Sequence, residues 1–216
     1  MNDNRQYQTL LNEAAEKLRT VYPSRLALRA GVKLDEEENA LCFSSFGQEY
    51  KVRCSDWSIE PETNMWHHMI ILQYLEGANS MQLNDRWIAL RELPHGSDSR
   101  AAGFERQYRE RFEKLGEYSA EQLKRACEAM GAEFLNDRSA DLSAVFPFMP
   151  QYPIRMNFWF ADEADEDEDE DEFDAFPASG KLLVNDGVRT TLNMEAAGQL
   201  MLFLMKRLCA EARRLG

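Results

Sequence analysis

"PIRMNFWFADEADEDEDEDEFDAFPASGKLLVNDG", residues 153–187, decides how this chain is read. It begins with an apolar, aromatic run and ends with a second apolar run closed by Asn185–Asp186–Gly187. Runs of this kind bounded by turn residues read as strands, the first over about Ile154–Phe160 and the second over 181–184. Between them, ten of the eleven residues from Asp162 to Glu172 are carboxylates, and Asp174 follows. Two strands joined by one such segment are neighbours in the sheet, and pairs joined by short connections are antiparallel.

The acidic run itself has no sign of a built site. Successive carboxylates on an extended chain sit ~3.3 Å apart, inside a screening length of about 8 Å at physiological salt. They repel one another, so the segment is expected to be extended and solvated. A calcium loop needs spaced ligands, a glycine for its sharp turn and a closing bidentate Glu. Residues 162–172 contain no glycine and no hydroxyl or amide ligand. Three readings remain: a solvated loop insert, a lure for a basic partner, or a loose and unselective cation site. No dedicated metal site is expected.

Outward from this run, the rest of the chain is ordinary. The formal charge is −13, from 38 acids against 25 bases. Without the eleven acids of Asp162–Asp174 it becomes −2, so a nearly neutral domain carries one acidic insert at about 162–174. No basic block exists to hold phosphates, which argues against nucleic acid. Apolar residues make up 44% of 216, enough for one folded domain over 1–216. No apolar run reaches the length of a membrane span. The start, "MNDNRQYQTLLNEAAEKL", lacks the basic and apolar regions of a secretory signal. A cytoplasmic protein, not a membrane one, is expected. Cys42, Cys54, Cys127 and Cys209 form no Cys-x-x-Cys pair and read as reduced, largely buried thiols.

Periodicity supplies the other elements. Leu10, Leu11, Ala14, Ala15 and Leu18 predict a helix over Asp3–Val21, stopped at Pro23. Residues 26–40 read as irregular, with a turn at Gly31. "ALCFSSFGQEYKVRC" predicts a hairpin turning at Gly47. Met65, Met69, Leu72 and Leu75 predict a helix capped by Thr63 or Asn64 and ended by Gly77. A strand at "RWIAL" and helices over Ser99–Leu115 and Ser119–Met130 follow, the last opened by a Ser119–Gln122 capping box. Residues 147–153, with three prolines, read as an extended entry to the strand. The final helix, about Asn193–Arg214, is apolar nearly all round, which marks a central helix. The fold class is α+β: a single domain with an antiparallel sheet packed on helices around a central C-terminal helix.

Few residues offer chemistry. His67 and His68 are adjacent on a helix and point about 100° apart, so they do not share a metal; His68, four before Leu72, is the one expected to lean on the core. His95, in a Pro–Gly turn near Glu92, is the weak catalytic candidate, as an acid or base. The aromatic residues Phe146, Phe148, Tyr152 and Trp159, with Asp162 and with Phe176 beyond the insert, line a ligand pocket or form core under a hairpin. Nucleophile-elbow and phosphate-loop motifs are absent.

Several stretches in order, "FGQEYKV", "ILQYLEGA", "RWIALRELPHG", "FPFMP", "WFADE", "FPASGKLLVNDG" and "LNMEAAGQL", resemble a domain-of-unknown-function family over about residues 20–210. The family resembled occurs in bacteria and archaea, mostly anaerobes, and some members carry an iron–sulfur label. Its members have a short acidic turn where this chain has 162–174, which implies an insert. The cysteine motifs of the iron–sulfur members are missing here, so no cluster is carried over and the cofactor is left unknown.

Together these readings favour a non-catalytic binding or accessory protein that recognises a small molecule, cofactor or partner protein in anaerobic metabolism. The alternative is an enzyme of unrecognised type using His95 and nearby carboxylates beside an aromatic pocket. The oligomeric state is open. Deleting Asp165–Asp171 is expected to leave the melting temperature unchanged or slightly raised, because like-charge repulsion is relieved. A large fall on calorimetry would show that the insert is ordered.

Overall fold

The computed structural model describes residues 3–80, 82–161 and 176–215. Helix α1 (Asp3–Arg19) is followed by α2 (Pro23–Ala30). Strands β1 (Lys33–Asp35), β2 (Ala40–Ser45), β3 (Gln48–Arg53) and β4 (Ile59–Glu60) come next, then α3 (Met65–Gly77). Strand β5 (Trp87–Ala89) runs into a 3-10 turn at Leu90–Glu92, and α4 (Asp98–Leu115) and α5 (Ala120–Ala129) follow. Strands β6 (Glu133–Phe134), β7 (Leu142–Pro147), β8 (Pro153–Trp159) and β9 (Ser179–Asn185) lead through a 3-10 turn at Asp186–Thr190 into α6 (Met194–Leu215). This is an α+β domain with antiparallel pairing throughout. No helix among the described residues is long and apolar enough to cross a membrane.

β8 and β9 are neighbours, paired from Ile154↔Val184 to Trp159↔Ser179, so 160–178 joins adjacent strands as expected. The acidic run from Asp162 to Asp174 lies outside the described residues. The expected antiparallel sheet is divided in two. A four-stranded meander has the order β1-β2-β3-β4, and a five-stranded sheet has the order β5-β9-β8-β7-β6. Period-two alternation marks a strand but carries no information about which sheet it joins.

Several short elements were not foreseen. Pro23 does stop α1, but it also occupies the first turn of α2, where its missing N–H is not needed. Gly31, at φ 67°, caps α2 through its N–H to the Ala27 carbonyl, and Leu26, Ala27 and Ala30 are buried. The proline-rich entry segment is a hairpin: Pro147 ends β7 and pairs with Pro153, the first residue of β8. At those end positions neither proline interrupts the ladder. β8 stops at Trp159, because the Phe160 N–H donates to the Asp141 carboxylate at 2.8 Å.

Gly47 joins the two sheets. It sits at φ 73° in the β2–β3 turn, with a Cβ position only 2.5 Å from the Ala129 carbonyl oxygen at the end of α5. Only glycine admits that approach. Beside it the Phe46 N–H donates to the Pro147 carbonyl at 2.9 Å, so the turn of one sheet is tied to the other. α6 lies against α3, α4 and α5 and buries Leu200, Met201, Leu204, Met205 and Leu208. At Gly198 it meets α4 closely: a Cβ would stand 2.5 Å from the Phe104 ring, and the Tyr108 hydroxyl donates to the Gly198 carbonyl at 3.0 Å.

Leu204 is fully buried. Leu204→Ala is expected to lower unfolding free energy by about 2–5 kcal/mol in urea titration. A loss under ~1 kcal/mol would mean that α6 is not packed on this face.

Candidate functional site

The three histidines have different fates. His67, not His68, is the imidazole taken into the core, with 1% exposure. Its Nε2 lies 3.1 Å from Ser45 Oγ and its Nδ1 2.8 Å from Thr63 Oγ1. Its ring stacks on Phe203 at 4.3 Å and meets Tyr50 and Phe148 edge-on. A neutral imidazole donates from one nitrogen and accepts at the other, and a hydroxyl can take either role. Burial, then the Arg207 charge and His68, hold its pKa down at about 3. A serine beside a histidine has the outline of a nucleophile and base. Here both are shut in by aromatic rings, and the pair ties β2 to α3. His68 is half-buried and donates from Nε2 to the Trp57 carbonyl at 2.9 Å; burial lowers its pKa too.

His95 is exposed in a left-handed turn, φ 61°, pinned to α6 by the Met194 N–H to the Pro94 carbonyl at 3.2 Å. Glu92 does not face it across a common cavity. The Glu92 carboxylate accepts from the Ala89 N–H at 2.9 Å and lies 3.7 Å from Arg86, capping the 3-10 turn after β5.

The aromatic candidates are dispersed. Phe146 and Phe148 are fully buried, while Tyr152 is buried except at the rim of a cavity. Trp159 is half-buried on the outer face of β8, donating to the Ser139 carbonyl with Lys181 over its ring. Phe176 is 68% exposed. Asp162 lies outside the described residues. Of the six, only Tyr152 borders a described cavity.

The concave surface lies instead around the first turn of α6. Asn193 caps this helix, its Oδ1 accepting from the Ala196 N–H at 2.9 Å. The Thr191 carbonyl just before it accepts from the Tyr152 hydroxyl at 2.9 Å. Three hollows meet here. One, about 350 Å³, lies between α3 and residues 190–193 and is bordered by Gln73, Glu76, Asn79, Tyr152 and Thr191. A second, about 490 Å³, adjoins it through Gln73, Asn193 and Ala196 and is walled by Leu10, Met65, Trp66 and Met69. The third, about 220 Å³, holds His95 and shares Thr190–Asn193 with the first. An Arg100–Glu195 ion pair at 2.6 Å crosses the rim of the second.

Trp66 and Gln73 were missed in the sequence, although a signal was present. Trp66 and Gln73 fall at helical spacing from Met69 at the margin of the apolar stripe of α3, which puts them on its flank. The third wall, residues 190–193, comes from far along the chain and leaves no local trace.

Among the described residues, no three His, Cys, Asp or Glu side chains converge on a metal-sized site. All four cysteines are free, Cys127 buried and the others half-buried. Burial raises the pKa of each, that of Cys127 to about 12.

Native His67 refuses a proton that the unfolded chain accepts below 6.5. Stability is therefore expected to fall as pH drops from 6.5 towards about 3, by up to about 1.4 kcal/mol per pH unit. His67→Gln removes this contribution and flattens the slope of unfolding free energy against pH. Equal slopes for the two proteins would exclude a neutral buried imidazole.

No curated protein and no solved structure is matched by this chain. The comparison that does match is with a protein family described as a domain of unknown function, DUF3786, and it spans residues 22–207. That span covers most of the chain, from the start of α2 into α6 as far as Arg207, and holds most of the walls of the α6 cleft, so the chain belongs to the DUF3786 family.

Proposed function

We propose that this protein is a non-catalytic binding protein that holds a small amphipathic ligand in the cleft around the first turn of α6. The observation that carries the reading is the junction of two chambers of opposite character. Leu10 and Trp66, each 37% exposed, with Met65 and Met69, offer an apolar wall. Gln73, Asn79, Thr190 and Thr191 offer donors and acceptors in the chamber alongside. Each volume lies in the range usual for a small-molecule site. An apolar body would rest on Trp66 while a polar end reaches Gln73 and Thr191. The setting in anaerobic metabolism enters from the family resemblance alone, and it decides how the protein is purified.

The enzyme reading keeps one supporting observation. His95 borders a hollow that shares Thr190–Asn193 with the polar chamber. On that reading His95→Gln leaves ligand bound but unconverted.

Native mass spectrometry on protein purified without air tests the proposal. Wild type is expected to carry extra mass that leaves on denaturation, and Trp66→Ala to carry at least tenfold less. If wild type is bare, amphipathic fragments observed by ligand-detected NMR take the place of the natural ligand and lose binding in the same variant. Equal occupancy in the two proteins, or no fragment bound by wild type, overturns it.

A further inference from the structure

β9 is longer than its partner on one side. The β5–β9 ladder runs from Trp87↔Asn185 to Ala89↔Leu183, whereas β9 begins at Ser179. At Leu90 the chain leaves the sheet in a 3-10 turn. Along an antiparallel strand, alternate residues direct their N–H and C=O groups to the same side. The Asp186 N–H donates to the Arg86 carbonyl at 2.9 Å, so Asp186 faces β5. Counting back by twos, Val184, Leu182 and Gly180 face that side as well. β5 reaches Val184. The Leu90 carbonyl, the next acceptor along, takes the Leu93 N–H at 3.2 Å instead. The N–H groups of Leu182 and Gly180 therefore face an open edge.

A hollow of about 440 Å³ lies along this edge, bordered by Gly180–Leu183, by Ala89–Glu92 and by Glu105, Tyr108 and Arg109 of α4. Its border includes residues of both faces of the sheet. Gly180 lies against Phe112 of α4 on the inner face, and Lys181 lies over Trp159 on the outer face. The charges around it are unevenly matched. Arg91 is paired with Glu105 at 2.7 Å, and the Glu92 carboxylate is held by the Ala89 N–H and Arg86. Arg109 and Lys181 have no carboxylate partner among the described residues, which leaves one cation towards each face.

We infer that this edge accepts an extended, carboxylate-bearing peptide segment of a partner protein, added beside β9 in line with β5. Main-chain bonds to the Leu182 and Gly180 N–H groups would hold the strand. Side chains of an added strand alternate between the two faces. A carboxylate on one face then meets Arg109, and on the other Lys181. A lysine on an exposed edge is also a common guard against pairing with other chains, and that reading gives the opposite outcome below. The inference is independent of the α6 cleft, with which this hollow shares no bordering residue.

The probes are acetylated six-residue peptides alternating valine with glutamate, the same peptide with lysine for glutamate, and the glutamate peptide with its central valine replaced by proline. Hydrogen exchange of the full chain is followed by NMR at physiological salt. The glutamate peptide is expected to slow exchange at Gly180 and Leu182 and to bind at least tenfold more tightly than the lysine and proline peptides. Lys181→Glu combined with Arg109→Glu is expected to reverse the order of the two charged peptides, with an unchanged melting temperature showing that the variant is folded. Unprotected Gly180 and Leu182 amides at saturating peptide, similar affinity for all three peptides, or no binding at all overturns the inference.

Discussion

Phe203 of α6 stacks on the imidazole of His67 of α3, and around that contact the two sheets meet. Phe46, from the turn of the four-stranded sheet, lies 5.6 Å from Phe148 and 6.1 Å from Phe203. Phe148, from the β7–β8 turn, and Tyr50 of β3 both reach the His67 ring edge-on. A ring pair of this kind contributes about 0.5–1.5 kcal/mol beyond the area it buries. Its larger effect is geometric. The β2–β3 hairpin, the β7–β8 turn and α6, distant in sequence, converge on one polar side chain, which burial keeps neutral while Ser45 and Thr63 satisfy both of its nitrogens. A charged imidazole here would be a buried cation without a counter-ion, which costs far more than the stack returns.

The burial of α6 follows from this arrangement. A helix apolar for most of its circumference needs cover on several sides, and α3, α4 and α5 supply it. Its exposed positions, Lys206, Ala210, Arg213 and Arg214, lie towards its basic end. The first turn is held by Asn193, by the Pro94 carbonyl and by Tyr152 on Thr191, and the space left between these ties and α3 is the cleft. The cleft is thus a by-product of how a buried helix begins. The open edge of β9 has a similar origin, where β5 gives way to a 3-10 turn after three residues.

Legibility in the sequence depended on how local the cause was. The Ser119–Gln122 capping box, the cap at Asn64 and the turn at Gly47 could be read because each is set by residues two to four apart. The β8–β9 hairpin was legible through its apolar runs despite the acidic residues between them. β7 was hidden by its neighbouring prolines, since a proline at the end of a hairpin looks like one that forbids a strand. α2 was hidden because Pro23 ends one helix and begins another. The two-sheet division left no local mark. It depends on Gly47 meeting Ala129 and Phe46 meeting Pro147, contacts between residues about eighty to a hundred apart.

The candidate sites divide along the same line. From the sequence alone came the α+β class, the antiparallel pairing of the two strands that flank the acidic run, the central last helix and the scarcity of catalytic motifs, because composition and periodicity act within one element. Which histidine would be buried was read as His68, and the structure chose His67. One residue along a helix turns a side chain by 100°, and only the position of Phe203 and Tyr50 says which direction is inward. Phe146 and Phe148 became core and Trp66 became cavity wall for the same reason. Whether an aromatic ring lines a cavity or fills one is set by what stands opposite, and what stands opposite comes from elsewhere in the chain.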